Sequence, residues 1–328
     1  MIRLSLRSSG MAVLASIALF SLPVRTLMAQ EAVPAAPPQA PAPVAGPTFP
    51  APSPDAFTAD APTKEQVLGF LQANWGFDTN RVYQVQSIAK TEVAGINSVV
   101  VLVGEKGKAQ TGALQFFYLP DGKHIITSGE LIPFSEHPFA ENRTTLVKRA
   151  DGPSYGPASK DLELVEFADF QCPHCKEAQA TIDKLKADFP TAHFVFQSFP
   201  LVKVHPEAYR AAAYGACVAK LGSNDAFFNF AAAVFDGQAG LANADGATLT
   251  LNSAVTKAGQ TPEKVEACSK TPETKATVDA GIKLAEDLRV NQTPSLAING
   301  RIIPLGGVPY ETLKQMITYH MQNDGPAK

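Results

Sequence analysis

Four residues, Cys172-Pro173-His174-Cys175, set the chemical question. Two sulfurs at this spacing can hold a metal, anchor a haem, close a small ring or exchange electrons. Covalent haem needs a histidine directly after the second cysteine, and Lys176 stands there. Structural zinc wants four ligands, usually with a second close pair. The remaining cysteines, Cys217 and Cys268, are far apart, and His193 and His205 show no ligand spacing. No metal and no organic cofactor is therefore expected. A purely structural disulfide here would be a small, reactive ring at a helix start. Thiol–disulfide exchange is the chemistry that uses every neighbour.

Position supplies the mechanism. The apolar run LELVEFA precedes the tetrapeptide, and a helical pattern from 172 to about 189 follows it. Cys172 falls at the helix N-terminus, where unpaired backbone N–H groups and the macrodipole favour an anion. Pro173 suits the first turn, because its missing N–H would have had no partner there. His174, when protonated, adds a cation beside the sulfur. All three favour a thiolate at Cys172, and the thiolate is the attacking species. Cys175, one turn in, shares a face with Ala178, Ile182, Leu185 and Phe189, and reads as the shielded resolving thiol. Each pKa unit of depression at Cys172 stabilises the reduced form by about 1.4 kcal/mol. For a two-electron couple that is roughly 30 mV of oxidising power. The histidine thus argues for giving disulfides away.

The stretch EFADFQCPHC resembles the active site of the DsbA-type thioredoxin-fold oxidoreductases, which carry the same tetrapeptide. The resemblance spans about 155–321 and implies a thioredoxin core with an inserted helical subdomain. Residue by residue, Glu166 matches the family's buried acid, which implies a raised pKa and a proton-shuttle role toward Cys175. The residues alone also allow Glu166 on the outward face of an alternating strand. Thr293-Pro294, just before SLAI, matches the family's cis-proline loop, which turns the Thr293 backbone toward the sulfurs and a substrate strand; a trans turn is the alternative. Related exported proteins carry a second cysteine pair, so the resemblance implies a structural disulfide between Cys217 and Cys268. Closing that loop would stabilise the fold by roughly 4 kcal/mol on a chain-entropy basis. Two buried free thiols are the other reading.

These residues need a scaffold, and the chain is long enough to build one. It has 328 residues, 45% hydrophobic and 18% charged, with net charge −3. That balance gives no argument for nucleic acid or an anionic surface as partner. Residues 1–29 read as an export signal: Arg3 and Arg7, an apolar run over 11–24, then Leu27-Met28-Ala29. The run is short for a bilayer span of about 20 residues, so cleavage is expected over a retained anchor. Residues 30–62 read as a Pro/Ala-rich linker, extended and without a core.

A small α+β domain is expected at 63–134, with one helix capped by Thr63 and Gln66 and a meander of about four strands. Its YLPDGKHIITSGEL resembles, more weakly, the dimerisation domain of the DsbC and DsbG isomerases. A connecting segment, 135–158, leads to a thioredoxin-like catalytic domain at 159–322, with a helical insertion at about 206–288. The fold class is α/β. The function expected is an exported, periplasmic oxidoreductase that introduces disulfides into exported client proteins through Cys172 and Cys175. A dimeric isomerase or reductase, kept reduced by a membrane partner, is the first alternative. A client-binding chaperone is the alternative of another class.

Overall fold

The computed structural model describes residues 46–158 and 161–325. The export signal and the first part of the linker lie outside the described residues. Two five-stranded sheets organise the rest.

The first sheet is an antiparallel meander in chain order: β1 (Arg81–Lys90), β2 (Asn97–Glu105), β3 (Thr111–Tyr118), β4 (His124–Thr127) and β5 (Glu130–Pro133). Helix α1 (Lys64–Trp75) covers it. Thr63 starts that helix: its hydroxyl accepts from the Gln66 N–H, and the Gln66 side chain accepts from the Thr63 N–H. Val67, Phe70 and Leu71 of α1 bury against Val85, Ile88, Val99, Val101 and Phe116. There are five strands and not four because HIITSGEL folds back on itself. Thr127 pairs with Glu130, and Ser128 and Gly129, at φ 52° and 80°, make a two-residue hairpin turn. The linker expectation also needs correcting at its C-terminal end. From Pro50 on, the chain lies along β1: Gln84 donates to the Pro50 carbonyl, Thr58 and Ala59 donate to Ile88, and Phe57 packs on the sheet's core. Phe57 gives this end an anchor that the Pro/Ala composition hides.

The second sheet has the order β10-β9-β7-β8-β6. Its centre is β7 (Glu163–Ala168), whose six residues are all buried. Helix α3 (Pro173–Asp188) links β7 to the parallel β8 (His193–Ser198), a β-α-β unit. An antiparallel hairpin, β9 (Ser295–Ile298) and β10 (Arg301–Pro304), flanks the other edge of β7. Its turn is Asn299-Gly300, at φ 47° and 91°. Side chains of β7 alternate: Leu164 packs with Ile182 and Leu185 of α3 and Leu313 of α9 (Tyr310–Asn323). Val165 and Phe167 pack on the opposite face with Leu284 of α8 (Pro272–Asp287) and Leu146 of α2 (Ala140–Arg149). Helices therefore cover both faces, as a buried central strand requires.

Helix α2 falls in the segment expected to be an irregular connection. Its buried face is Arg143 and Leu146, and no side chain caps its start, so neither apolar periodicity nor a cap announces it. Tertiary contacts hold it instead: Asn142 donates to the Gly300 carbonyl, and Arg143 to those of Asp161 and Gly325. After it, β6 (Ser154–Tyr155) pairs antiparallel with β8 at the sheet's edge. Between β8 and β9 stand α4 (Ala208–Leu221), α5 (Asn224–Asp236), α6 (Ala244–Lys257), α7 (Pro262–Ser269) and α8. Among the described residues, no helix is long and apolar enough to cross a membrane.

Candidate active site

The chain leaves β7 at Ala168, turns through Asp169-Phe170-Gln171 and enters α3 with Cys172 as its N-cap and Pro173 in the first turn. Cys172 and Cys175 are free thiols, and both are buried. The backbone N–H groups of Cys175 and Lys176 donate to the Cys172 carbonyl, while the Cys172 thiol donates to the Thr293 carbonyl at 3.5 Å. The Thr293–Pro294 peptide is cis and lies at the start of β9.

The two sulfurs are pushed apart in acidity. The hydrogen bond from the Cys175 thiol, then the Thr293 side chain and the N–H groups of Cys175 and His174, bring Cys172 down to about 5 against the cost of burial. Burial first, and then the neighbouring sulfur, push Cys175 the other way, well above the ordinary thiol range. One sulfur is an anion at neutral pH; its neighbour keeps its proton. That is the division of labour between an attacking and a resolving thiol.

His174 pairs with an acid of its own helix. Its imidazole is exposed and pairs with Glu177 at 3.0 Å, and this hydrogen bond raises its pKa. The negative Cys172 raises it further, as the lesser cause. The chief stabilisers of the thiolate are thus the second sulfur, Thr293 and the helix N-terminus.

Glu166 is buried in the central strand, on the face that Leu164 shares with α3 and α9. Burial pushes its carboxyl up to about 7, against a hydrogen bond from Gln179 Nε2 at 3.0 Å. The same amide donates to the Cys175 carbonyl at 3.1 Å. A carboxyl poised near neutrality beside a thiol that resists ionisation can take up or return that thiol's proton.

Cys217 and Cys268 lie apart from this chemistry. They are bonded, with 5.9 Å between their Cα atoms, and join α4 to α7. Among the described residues, no cluster of three histidine, cysteine or acidic side chains could hold a metal ion.

Three residues around the pair go unremarked in the motif reading. Gln179 sits four residues after Cys175, one helical turn along the same face, and that spacing is a usable signal. Asp169 is an acid at the end of an apolar strand, another usable signal. Gln238 donates to the carbonyls of Phe170 and Cys172 from the turn just after α5, and no local pattern announces it.

A thioredoxin family model (Thioredoxin_4) matches residues 148–318, more than half of the chain. Among curated proteins, the Na(+)/H(+) antiporter NhaA 3 of Salinispora tropica is 35% identical over 68 residues, 21% of this chain and 10% of the antiporter. NhaA 1 of Mycolicibacterium vanbaalenii is 34% identical over 140 residues, 42% of this chain and 22% of the antiporter. The chain spans only about a tenth to a fifth of the length of these relatives. Among solved structures, a thioredoxin-like oxidoreductase from Silicibacter pomeroyi aligns with TM-score 0.46 and 22% identity, over 55% of this chain and 98% of that one. ScsC of Proteus mirabilis aligns with TM-score 0.47 and 22% identity, over 56% and 79%. The thiol-disulfide exchange protein alpha-DsbA2 of Wolbachia pipientis aligns with TM-score 0.46 and 19% identity, over 54% and 95%. The family match over more than half the chain means that the chain belongs to the thioredoxin family.

Proposed function

We propose that the protein gives disulfides to the cysteines of exported client proteins. The observation that carries this reading is the thiolate at Cys172, held near a pKa of about 5 while its partner stays protonated. A stabilised thiolate makes the reduced protein the favoured state, so the Cys172–Cys175 disulfide is eager to be passed on. A client thiolate attacks Cys172 Sγ, and Cys175 leaves as the protein's second sulfur, taking a proton that Glu166 supplies. A second client thiolate then attacks the client sulfur of the mixed disulfide and releases Cys172 as its thiolate. Thr293 and Pro294 stand where an extended client segment would lie beside the sulfurs. The export reading rests on residues 1–29, and with it goes a periplasmic setting and a membrane partner that restores the disulfide.

The test is the reduction potential of the Cys172–Cys175 pair, measured at equilibrium with glutathione. The donor reading expects a value well above that of glutathione itself; a value below it would make the protein a reductant, as the alternative of a dimeric isomerase or reductase kept reduced by a membrane partner allows. One feature favours that second reading. Phe117, Ile126 and Leu131 form an exposed apolar row across β3, β4 and β5, a surface on which two copies could meet.

A further inference from the structure

Asp169 is 1% exposed, and burying a carboxylate is costly unless its oxygens are satisfied. Here three donors satisfy them. Oδ1 accepts from the Gln171 N–H at 2.7 Å. Oδ2 accepts from the Leu201 N–H at 2.8 Å and from His205 Nδ1 at 2.8 Å. The side chain therefore ties the turn before α3 to the loop between β8 and α4. The backbone of the same residue faces the redox pair. Its carbonyl accepts from the Cys172 N–H at 3.1 Å, and its own N–H lies 3.4 Å from Cys175 Sγ as a donor.

We propose that Asp169 is a positioning residue for the resolving sulfur: its carboxylate fixes the peptide whose N–H stabilises negative charge on Cys175. The inference rests on the exchange chemistry proposed above. In both directions that chemistry charges the same atom. When a client thiolate attacks Cys172, the Cys172–Cys175 bond breaks and Cys175 leaves with the electron pair. In closure, Cys175 gives up its proton to Glu166 and its thiolate attacks Cys172 Sγ; the Cys172 bond to the outside sulfur breaks, and that sulfur leaves as a thiolate. Cys175 is buried, so a fixed donor is worth more there than water could be. The Asp169 N–H is the one backbone donor that lowers the Cys175 pKa against burial. Cys172 relies on other donors, the N–H groups of Cys175 and His174 and Thr293. The Asp169 N–H therefore acts on Cys175 directly, and on Cys172 only through the hydrogen bond between the two sulfurs.

Rapid quenching of the reduced, full-length protein after mixing with glutathione disulfide separates the steps. Attack appears as glutathione bound at Cys172; closure appears as its loss when Cys172–Cys175 forms. Asp169→Asn keeps one acceptor oxygen and turns a donor NH2 toward either Gln171 or the Leu201–His205 side, so part of the turn's anchor is lost. It should slow closure about tenfold and leave attack within about twofold of wild type. His205→Ala removes one of the three anchors at a partly exposed residue and should slow closure about threefold, again with attack unchanged. That variant decides the matter if Asp169→Asn does not fold. Unchanged closure in either folded variant, or equal slowing of both steps, overturns the proposal. A wild-type protein that performs neither step would instead overturn the exchange reading.

Discussion

At the scale of single residues, Glu166 and Cys172 make opposite demands on pH. Burial raises the Glu166 carboxyl from an ordinary 4.5 to about 7, so the folded protein binds a proton there that the unfolded chain has released. Stability is therefore lost as pH rises from 4.5 through 7, by about 3 kcal/mol in all. Glu166→Gln keeps the Gln179 contact and removes the charge. The oxidised variant should melt close to wild type at pH 4 and well above it at pH 8.5, as calorimetry would read. Cys172 works the other way in the reduced protein. Its pKa falls from 9.0 to about 5, so its contribution is complete above 9 and disappears as pH falls through 5. At pH 7 it amounts to about 3 kcal/mol, and the reduced form should outlast the oxidised one on heating. The exposed histidine sharpens this expectation. By ultraviolet thiolate absorbance, Cys175→Ala should raise the Cys172 titration more than His174→Ala does, because the sulfur hydrogen bond is its largest stabiliser. The reverse order would return the chief role to the imidazole.

At the scale of elements, the Cys217–Cys268 bond staples α4 to α7 and closes a long loop. Replacing both cysteines with alanine should cost roughly 4 kcal/mol of stability and lower the melting temperature. The exchange rate should hold, since neither sulfur touches Cys172 or Cys175. What the sequence reveals at this scale follows from how local each signal is. The α3 start is legible because cap position, proline and cysteine spacing sit within four residues. The hairpin at Asn299-Gly300 is legible because left-handed turns select those residue types. Helix α2 is not, because a buried arginine stands where the pattern asks for an apolar side chain. The shelter over the redox pair is not legible either: Gln238 and Leu241 reach it from an insertion whose docking no short window encodes.

At the scale of the whole molecule, Arg301 of β10 joins the second sheet to the covering helix of the first. Its guanidinium donates to the Asn74 carbonyl and lies 5.1 Å from the centre of the Phe77 ring and 5.3 Å from that of Phe139. Burial pulls its pKa down to about 10, which leaves it charged at neutral pH. Tyr319 adds a hydrogen bond to the Gln72 carbonyl. Arg301→Met keeps the bulk and loses the charge and the donor. Amide hydrogens in the last turn of α1 should then exchange faster, by about 2 kcal/mol of opening free energy. The reduction potential should not move. The strand orders of the two sheets differ in a way that reaches beyond the finished protein. The first sheet pairs each strand with the next one in the chain; the second pairs β7 with β9, as in Leu164 opposite Ile298, across the entire helical insertion. Folding slows as contacting residues lie further apart in sequence. As the chain emerges from its N-terminus, the meander can assemble at once, while β7 waits with a bare edge until β9 has been made. The redox centre is thus completed late, only once Thr293 has been made and can meet Cys172.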